Sequence, residues 1–394
     1  MNDAAGNAIL LKDTPKRLKS QRITALDLAR FIAMLMMIQG HSLYAVASAQ
    51  QLDTSIFPWN LWEFLRGFTA PVFLMVSGAV HVFANKREPD GYIAPARLNK
   101  RIKVSLIIMA VGYLMMFPAD NIYHLPFIEY KYWLNFFQVN ILQLFGISLI
   151  LLTGIFKLSK SDSSLVYMCA LAAVLFTILT PIAHTVNWYD VVPAPFAAYL
   201  SFEKGSLFPI FPYSSYLFYG VLLGAILKQT EPERRTNLLI KWGIPFGVLF
   251  ILAGYAMSWA YYEIGFDIVS SFGKADPGRV LKSVGFVLAG LSFIAMFYKL
   301  TKGLARYYSL FGKKALFIYV VHLVIIYGTP GFPSFARIYD KSLELVYAIP
   351  LTLCIVIATI AITWFFDYSV RRWPLAREFY KYGITAVLIH MLFI

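Results

Sequence analysis

Arg30 and His41 stand eleven positions apart in one apolar stretch, RITALDLARFIAMLMMIQGHSLYAV, which also carries Asp27 and Gln39. On a helix that spacing comes within about 20° of three whole turns, so both side chains leave one face about 16 Å apart along the axis. Asp27 precedes Arg30 by three residues, the spacing of an intrahelical ion pair that lowers the cost of burying either charge. Histidine is the side chain that titrates nearest neutrality, so His41 is suited to act as a general base or as a nucleophile. A packing network with a satisfied histidine would explain any one of these residues. The arginine on the same stripe argues for a shared chemical task.

Other polar residues extend the set. ARLNKRIKV places Arg97, Lys100 and Arg101 at spacings of three to four, with Lys103 behind them. One helical face bearing these cations would clamp phosphates, although basic loops also serve membrane topology. Glu63 and Arg66 form an i,i+3 pair, read either as a structural ion pair or as a device that positions an acceptor. Ser77 and Gly78 are small residues that permit close approach of a helix or of a slender ligand. His322 lies one turn from Tyr319 in ALFIYVVHLVII and needs a polar partner or a cavity. His81, His124, His184 and His390 are expected to be interfacial or structural.

These residues must be held by membrane helices. The 394 residues are 59% hydrophobic and only 14% charged, with a mean hydropathy of +0.64, which excludes an ordinary soluble enzyme and a disordered regulator. Apolar runs at 23–46, 61–83, 102–118, 136–156, 164–184, 209–227, 242–262, 280–298, 315–330 and 346–366 predict an all-α polytopic integral membrane helix bundle of about ten transmembrane helices. The apolar tail 382–394 leaves room for a short eleventh. With the N-terminus cytoplasmic, the inner segments hold 26 Lys and Arg against 7 outside. That asymmetry sets the orientation and accounts for the net charge of +14 without nucleic acid. The expected division is a cytoplasmic tail 1–22, a transmembrane domain 23–381 and the apolar tail 382–394. The polar tail argues against a cleavable signal peptide. Cys169 and Cys354 are expected to be small buried hydrophobes. No metal-ligand spacing, phosphate-binding glycine loop or internal repeat is present in the sequence.

The order of motifs resembles a known group. Arg30, ten intervening residues and His41 resemble the Arg-x10-His signature of the acyltransferase 3 family of membrane acyltransferases. LDLAR, FTAPVFLMVSG (68–78), SLFPIFPYSSYLFYGVLLGAIL (206–227) and GKKALFIYVVH (312–322) are similar to the heparan-α-glucosaminide N-acetyltransferase-like family of the same superfamily. Phe31 departs from the glycine common after the arginine, and residues 47–60 lack the outer-loop histidine of lysosomal members. Lysosomal members also carry an asparagine at the place of His41, so the histidine here makes the first helix closer to the O-acyltransferase pattern.

The resemblance implies an acyltransferase that moves an acyl group, most simply acetyl, from cytosolic acyl-CoA to a hydroxyl or amine of a carbohydrate-type acceptor on the extracytoplasmic side. His41, Arg30 and Asp27 would be the catalytic set. Arg66, Glu63, Tyr319 and His322 would meet substrate, and Arg97, Lys100, Arg101 and Ser77 the donor. Acetyl-CoA would be a substrate, with no permanently bound cofactor and no metal. Membrane lipids are the expected surroundings, a bacterial inner membrane the expected location, and a homo-oligomer is compatible with the sequence. The alternative is a solute carrier or permease using Asp27, Arg30 and His41 as a substrate or proton relay. A non-catalytic partner subunit is a third reading.

Overall fold

The structure is a computed structural model that describes residues 23–84, 87–119, 121–265, 276–328 and 334–393. The expected tail 1–22 lies outside them. The described residues form helices in the order α1 (Thr24–Val46), α2 (Trp59–Arg66), α3 (Thr69–Phe83), α4 (Pro95–Leu114), α5 (Tyr130–Phe137), α6 (Ile141–Leu158), α7 (Asp162–Ile178), α8 (Thr180–Thr185), α9 (Trp188–Val191) and α10 (Ala194–Ala197). They continue with α11 (Ile210–Gln229), α12 (Arg235–Glu263), α13 (Pro277–Leu300), α14 (Ala305–Lys313), α15 (Ala315–Tyr327), α16 (Phe335–Tyr339), α17 (Leu345–Arg372) and α18 (Ala376–Phe393). No strand occurs among the described residues, so the chain is an all-α polytopic membrane bundle.

Among the described residues, six helical spans are long and apolar enough to cross a bilayer, with α2 and α3 taken together as Trp59–Phe83. A seventh is obtained if Lys302–Lys313 and Ala315–Tyr327 are one span broken by a 70° bend. The expectation of ten also counts α1, α4 and α7. The first two carry more polar residues, and the third has 17 residues. Only amphipathic or bent pieces separate the structure from the hydropathy reading elsewhere. The run at 136–156 begins helix at Ile141 after the separate α5, and the run at 164–184 divides into α7 and α8. The apolar tail belongs to α18, which starts earlier than the tail, at Ala376.

Two hydrophobic clusters make the core. The larger joins the start of α1 to α3, α6, α7, α11 and α13, through side chains such as Leu26, Leu74, Leu144, Leu217 and Val287. The smaller packs the later part of α1 against α14, α15 and α17, through Met34, Ile38, Phe311, Ile318 and Ile355. α1 therefore runs along the seam between them, which explains why it can carry polar side chains: one stripe faces protein and not lipid. Cys169 is buried as expected, whereas Cys354 is exposed on α17, a lipid-compatible thiol on an apolar outer face.

α3 and α11 meet backbone to backbone. A Cβ on Gly78 would drive into the Leu217 carbonyl, and one on Gly220 into the Met75 carbonyl. With no hydrophobic force between helices in lipid, such close approach supplies the dispersion contacts that hold the pair. Gly78→Ala is expected to destabilise the protein by about 1–3 kcal/mol, the usual range for overpacking. Thermal unfolding in detergent reads this directly. An unchanged midpoint would mean that the two helices do not rely on this contact.

The cytoplasm-facing loops of the expected topology are tied by Arg87, which donates to the Gly91, Ser159 and Ser161 carbonyls and pairs with Asp162. Lys228 at the end of α11 reaches the same carboxylate at 2.6 Å. This knot fixes the segment that leads into α4 and its cations. At the bend between α14 and α15, Lys314 pairs with Asp367 of α17, which also receives Arg371.

Candidate functional site

A cavity of about 560 Å³ lies at the seam beside α1. Arg30, Met37 and His41 line it from α1, Arg66 from α2, Ser77 and His81 from α3, and Tyr319 from α15. Asn140, Tyr213 and Arg279 close other parts of the wall, with Phe73 and Phe145 supplying apolar surface. The helical phase of α1 explains the first group: positions 30, 37 and 41 recur on one side of a 3.6-residue helix.

At one end, Arg30 donates through Nη1 to the Gly312 carbonyl at 3.1 Å. Gly312 is in the last turn of α14, where carbonyls lack intrahelical partners and the helix dipole presents its negative end. Asp27 is 3% exposed and packs on the same glycine, whose absent Cβ would lie 3.0 Å from its Oδ1. The two α1 charges thus share Gly312 as a neighbour at the bend before α15. His81 hydrogen-bonds the Ser77 carbonyl at 2.7 Å, its Nδ1–H being the donor. It lies within electrostatic reach of Arg101 and Arg30.

At the other end, the His41 ring lies 5.6 Å from that of His322 and 6.2 Å from that of Tyr327, which it meets edge-on. Tyr319 presents its ring to His322 at 5.5 Å. His322 itself is 0% exposed and is not among the residues lining the cavity, so it stands behind His41. Its Nδ1–H donates to the Ile318 carbonyl at 2.9 Å.

Arg66 is fixed from three sides. Its Nε and Nη2 make a two-pronged pair with Glu63 at 3.0 and 2.9 Å, the planar fork matching the carboxylate. Its guanidinium lies over the Tyr44 ring at 4.3 Å and the Trp62 ring at 5.4 Å. Tyr44 donates to Glu63 at 2.8 Å, and Trp62 donates to Gln39 at 2.9 Å, so α1 and α2 are stitched beside His41. The Arg66 stem crosses α1 at Gly40, where a Cβ would come within 2.7 Å of it. Glu63 does not line the cavity; it holds the arginine that does.

The basic face of α4 divides. Arg97 and Arg101 are half-buried while Lys100 is exposed, and the Arg101 guanidinium lies over the Phe156 ring at 4.9 Å. None of the three lines the cavity. From the sequence alone His81 reads only as interfacial or structural, and nothing marks Arg279. His81 follows Ser77 by four residues, which puts both on one helical face. Asp276 caps α13 by accepting from the Gly278 amide, with Pro277 at the first turn, and this start signal places Arg279 on the helix.

Residues 22–262 match the family model described as heparan-alpha-glucosaminide N-acetyltransferase, catalytic. The match covers more than half of the chain, and the chain belongs to this family. It is therefore a multi-pass membrane protein of acetyltransferase type. No curated protein and no solved structure matches it. The matched region contains Asp27, Arg30, His41, Glu63, Arg66, Ser77 and the cations of α4, whereas Arg279, Tyr319 and His322 lie beyond it.

Proposed function

We propose that this chain takes acetyl groups from acetyl-CoA at the cytoplasmic face and transfers them to a hydroxyl or amine of a glycosaminoglycan-type carbohydrate on the other side of the membrane. The observation that carries the reading is one cavity bordered by Arg30 and His41, whose separation along α1 is about 16 Å. The charge asymmetry of 26 to 7 favours the Arg30 end as cytoplasmic and the His41 end as extracytoplasmic. An acyl-pantetheine arm is slender enough to pass Ser77 and the apolar wall, delivering its thioester to His41. The imidazole takes the proton of the acceptor as the acceptor attacks the thioester carbonyl, and returns it to the departing sulfur. Arg66 supplies a fixed cation beside the histidine for the oxygen that becomes negative in the transition state. Purified protein incubated with radiolabelled acetyl-CoA and glycosaminoglycan fragments should release free CoA and label the glycan. Absence of both products would overturn the reading.

The donor's phosphates are assigned to Arg97 and Arg101, the two half-buried members of the α4 stripe. Their double substitution by alanine should weaken binding of CoA by about tenfold or more, since charge-assisted contacts are the strong ones. Dephosphorylated CoA analogues should be weakened much less. Equal weakening for both ligands, measured by calorimetry in detergent, would leave the stripe with a topological role only.

A further inference from the structure

The pair His41 and His322 carries more than proximity. A carbonyl oxygen has no proton to give, so the contact between His322 Nδ1 and the Ile318 carbonyl fixes the His322 proton on Nδ1 in the neutral ring. Nε2 is then a lone-pair acceptor. It is buried and has no hydrogen-bond partner among the described residues. Orphaned buried acceptors are rare because leaving one unsatisfied is costly, and they gather where a structure holds something in reserve. Ring centres 5.6 Å apart are close enough for a nitrogen of one imidazole to meet a nitrogen of the other. Such hydrogen bonds are often long before substrate arrives.

We propose that His322 is the positioning residue of His41: its Nε2 accepts the His41 N–H and holds that ring in the tautomer whose second nitrogen presents a lone pair to the cavity. This rests on His41 being the base of the proposed reaction. In that reaction the acceptor's O–H or N–H proton moves to the free nitrogen of His41 while the new bond forms to the acetyl carbon. The C–S bond then breaks, and the same proton leaves with the CoA sulfur. The His41 N–H toward His322 stays in place, so the transient imidazolium keeps a neutral acceptor at its back. The other groups facing the pair are Arg66 from α2 and Tyr319 and Tyr327 from α15. Tyr319 packs its ring edge-on against His322 at 5.5 Å, and the orphaned nitrogen is buried.

The test compares His322→Leu, which removes the acceptor, with His322→Gln, whose amide oxygen can occupy the place of Nε2. The leucine variant should fall about 10²-fold or more in kcat, up to the roughly 10⁴-fold that a wrong tautomer costs a catalytic histidine, with KM for acetyl-CoA little changed. The glutamine variant should recover at least tenfold of that loss. ¹⁵N-histidine NMR should show His41 as one tautomer in the native protein and in the glutamine variant, and as a mixture in the leucine variant. Equal activity of both variants, or a His41 tautomer indifferent to residue 322, would overturn the proposal. If the leucine variant fails to fold, a native spectrum with His41 in mixed tautomers overturns it alone. Retained transfer by His41→Ala would instead remove the reading on which this rests, and the NMR comparison tells the two failures apart.

Discussion

His41→Ala is expected to lower acetyl transfer by on the order of 10²–10⁴-fold, the range that a positioned general base contributes, while leaving a folded protein that still binds CoA. The expectation of a native fold follows from where the side chain sits. It borders an existing cavity, so truncation enlarges that space instead of opening a new sealed void in close-packed core. Alanine gives up the ring packing against His322 and Tyr327, but the bonds that stitch α1 to α2 run through Tyr44 and Gln39 and remain. Donor binding should persist because the residues assigned to the phosphates lie on α4. The measurement is single-turnover release of CoA and labelling of glycan, with CoA affinity and the thermal midpoint determined on the same preparation. Full activity in the variant would leave His41 as a wall residue and move the search for the base to His81.

Much of this arrangement is legible in the amino-acid sequence. The spacing of Arg30 and His41 predicts a shared face, and both line one cavity. The Glu63–Arg66 pair forms at i,i+3 as the sequence spacing requires. Hydropathy finds the long helices because burial in lipid demands uninterrupted apolar runs. What it does not resolve are breaks within runs. The division between α2 and α3 falls at Gly67 and Phe68, inside one apolar run that leaves no mark of it, whereas the bend at Lys314 falls where the run 315–330 begins and reads only as the end of a loop, not as a break within a helical pair. Residues whose role depends on a distant helix are harder still. His81 reads as a span-end histidine because nothing local reveals that α1 brings Arg30 to the same cavity. Arg279 reads as one more outer cation since composition does not say that the first turn of α13 faces inward. The exposure of Cys354 has the same cause: a hydrophobic residue on a membrane helix satisfies its solvent equally by facing lipid or protein.

Acetyl-CoA supplied outside sealed vesicles whose native cytoplasmic face is outward should yield acetylated glycan trapped in the lumen, with CoA released outside. From Thr24 to His41, α1 rises about 26 Å, most of the roughly 30 Å of hydrocarbon that a bilayer presents. A donor whose phosphates stay on the basic side therefore reaches His41 only by extending its arm into the bundle, and the acceptor meets it from the far side. The polar lining places Arg30 and His81 near one end of the cavity and His41 and Arg66 near the other. Trapped label requires a coupling of the two compartments through chemistry, because CoA itself is too large and too charged to cross with its acetyl group. With donor and acceptor both outside, no product should form. If label appears only when the two are on the same side, transfer occurs without crossing the membrane, and the assignment of the two ends of the cavity is wrong while the enzyme class stands. If glycan or another solute enters unaltered and no CoA is freed, Asp27, Arg30 and His41 serve a carrier, and the acetyltransferase reading of this chain falls with them.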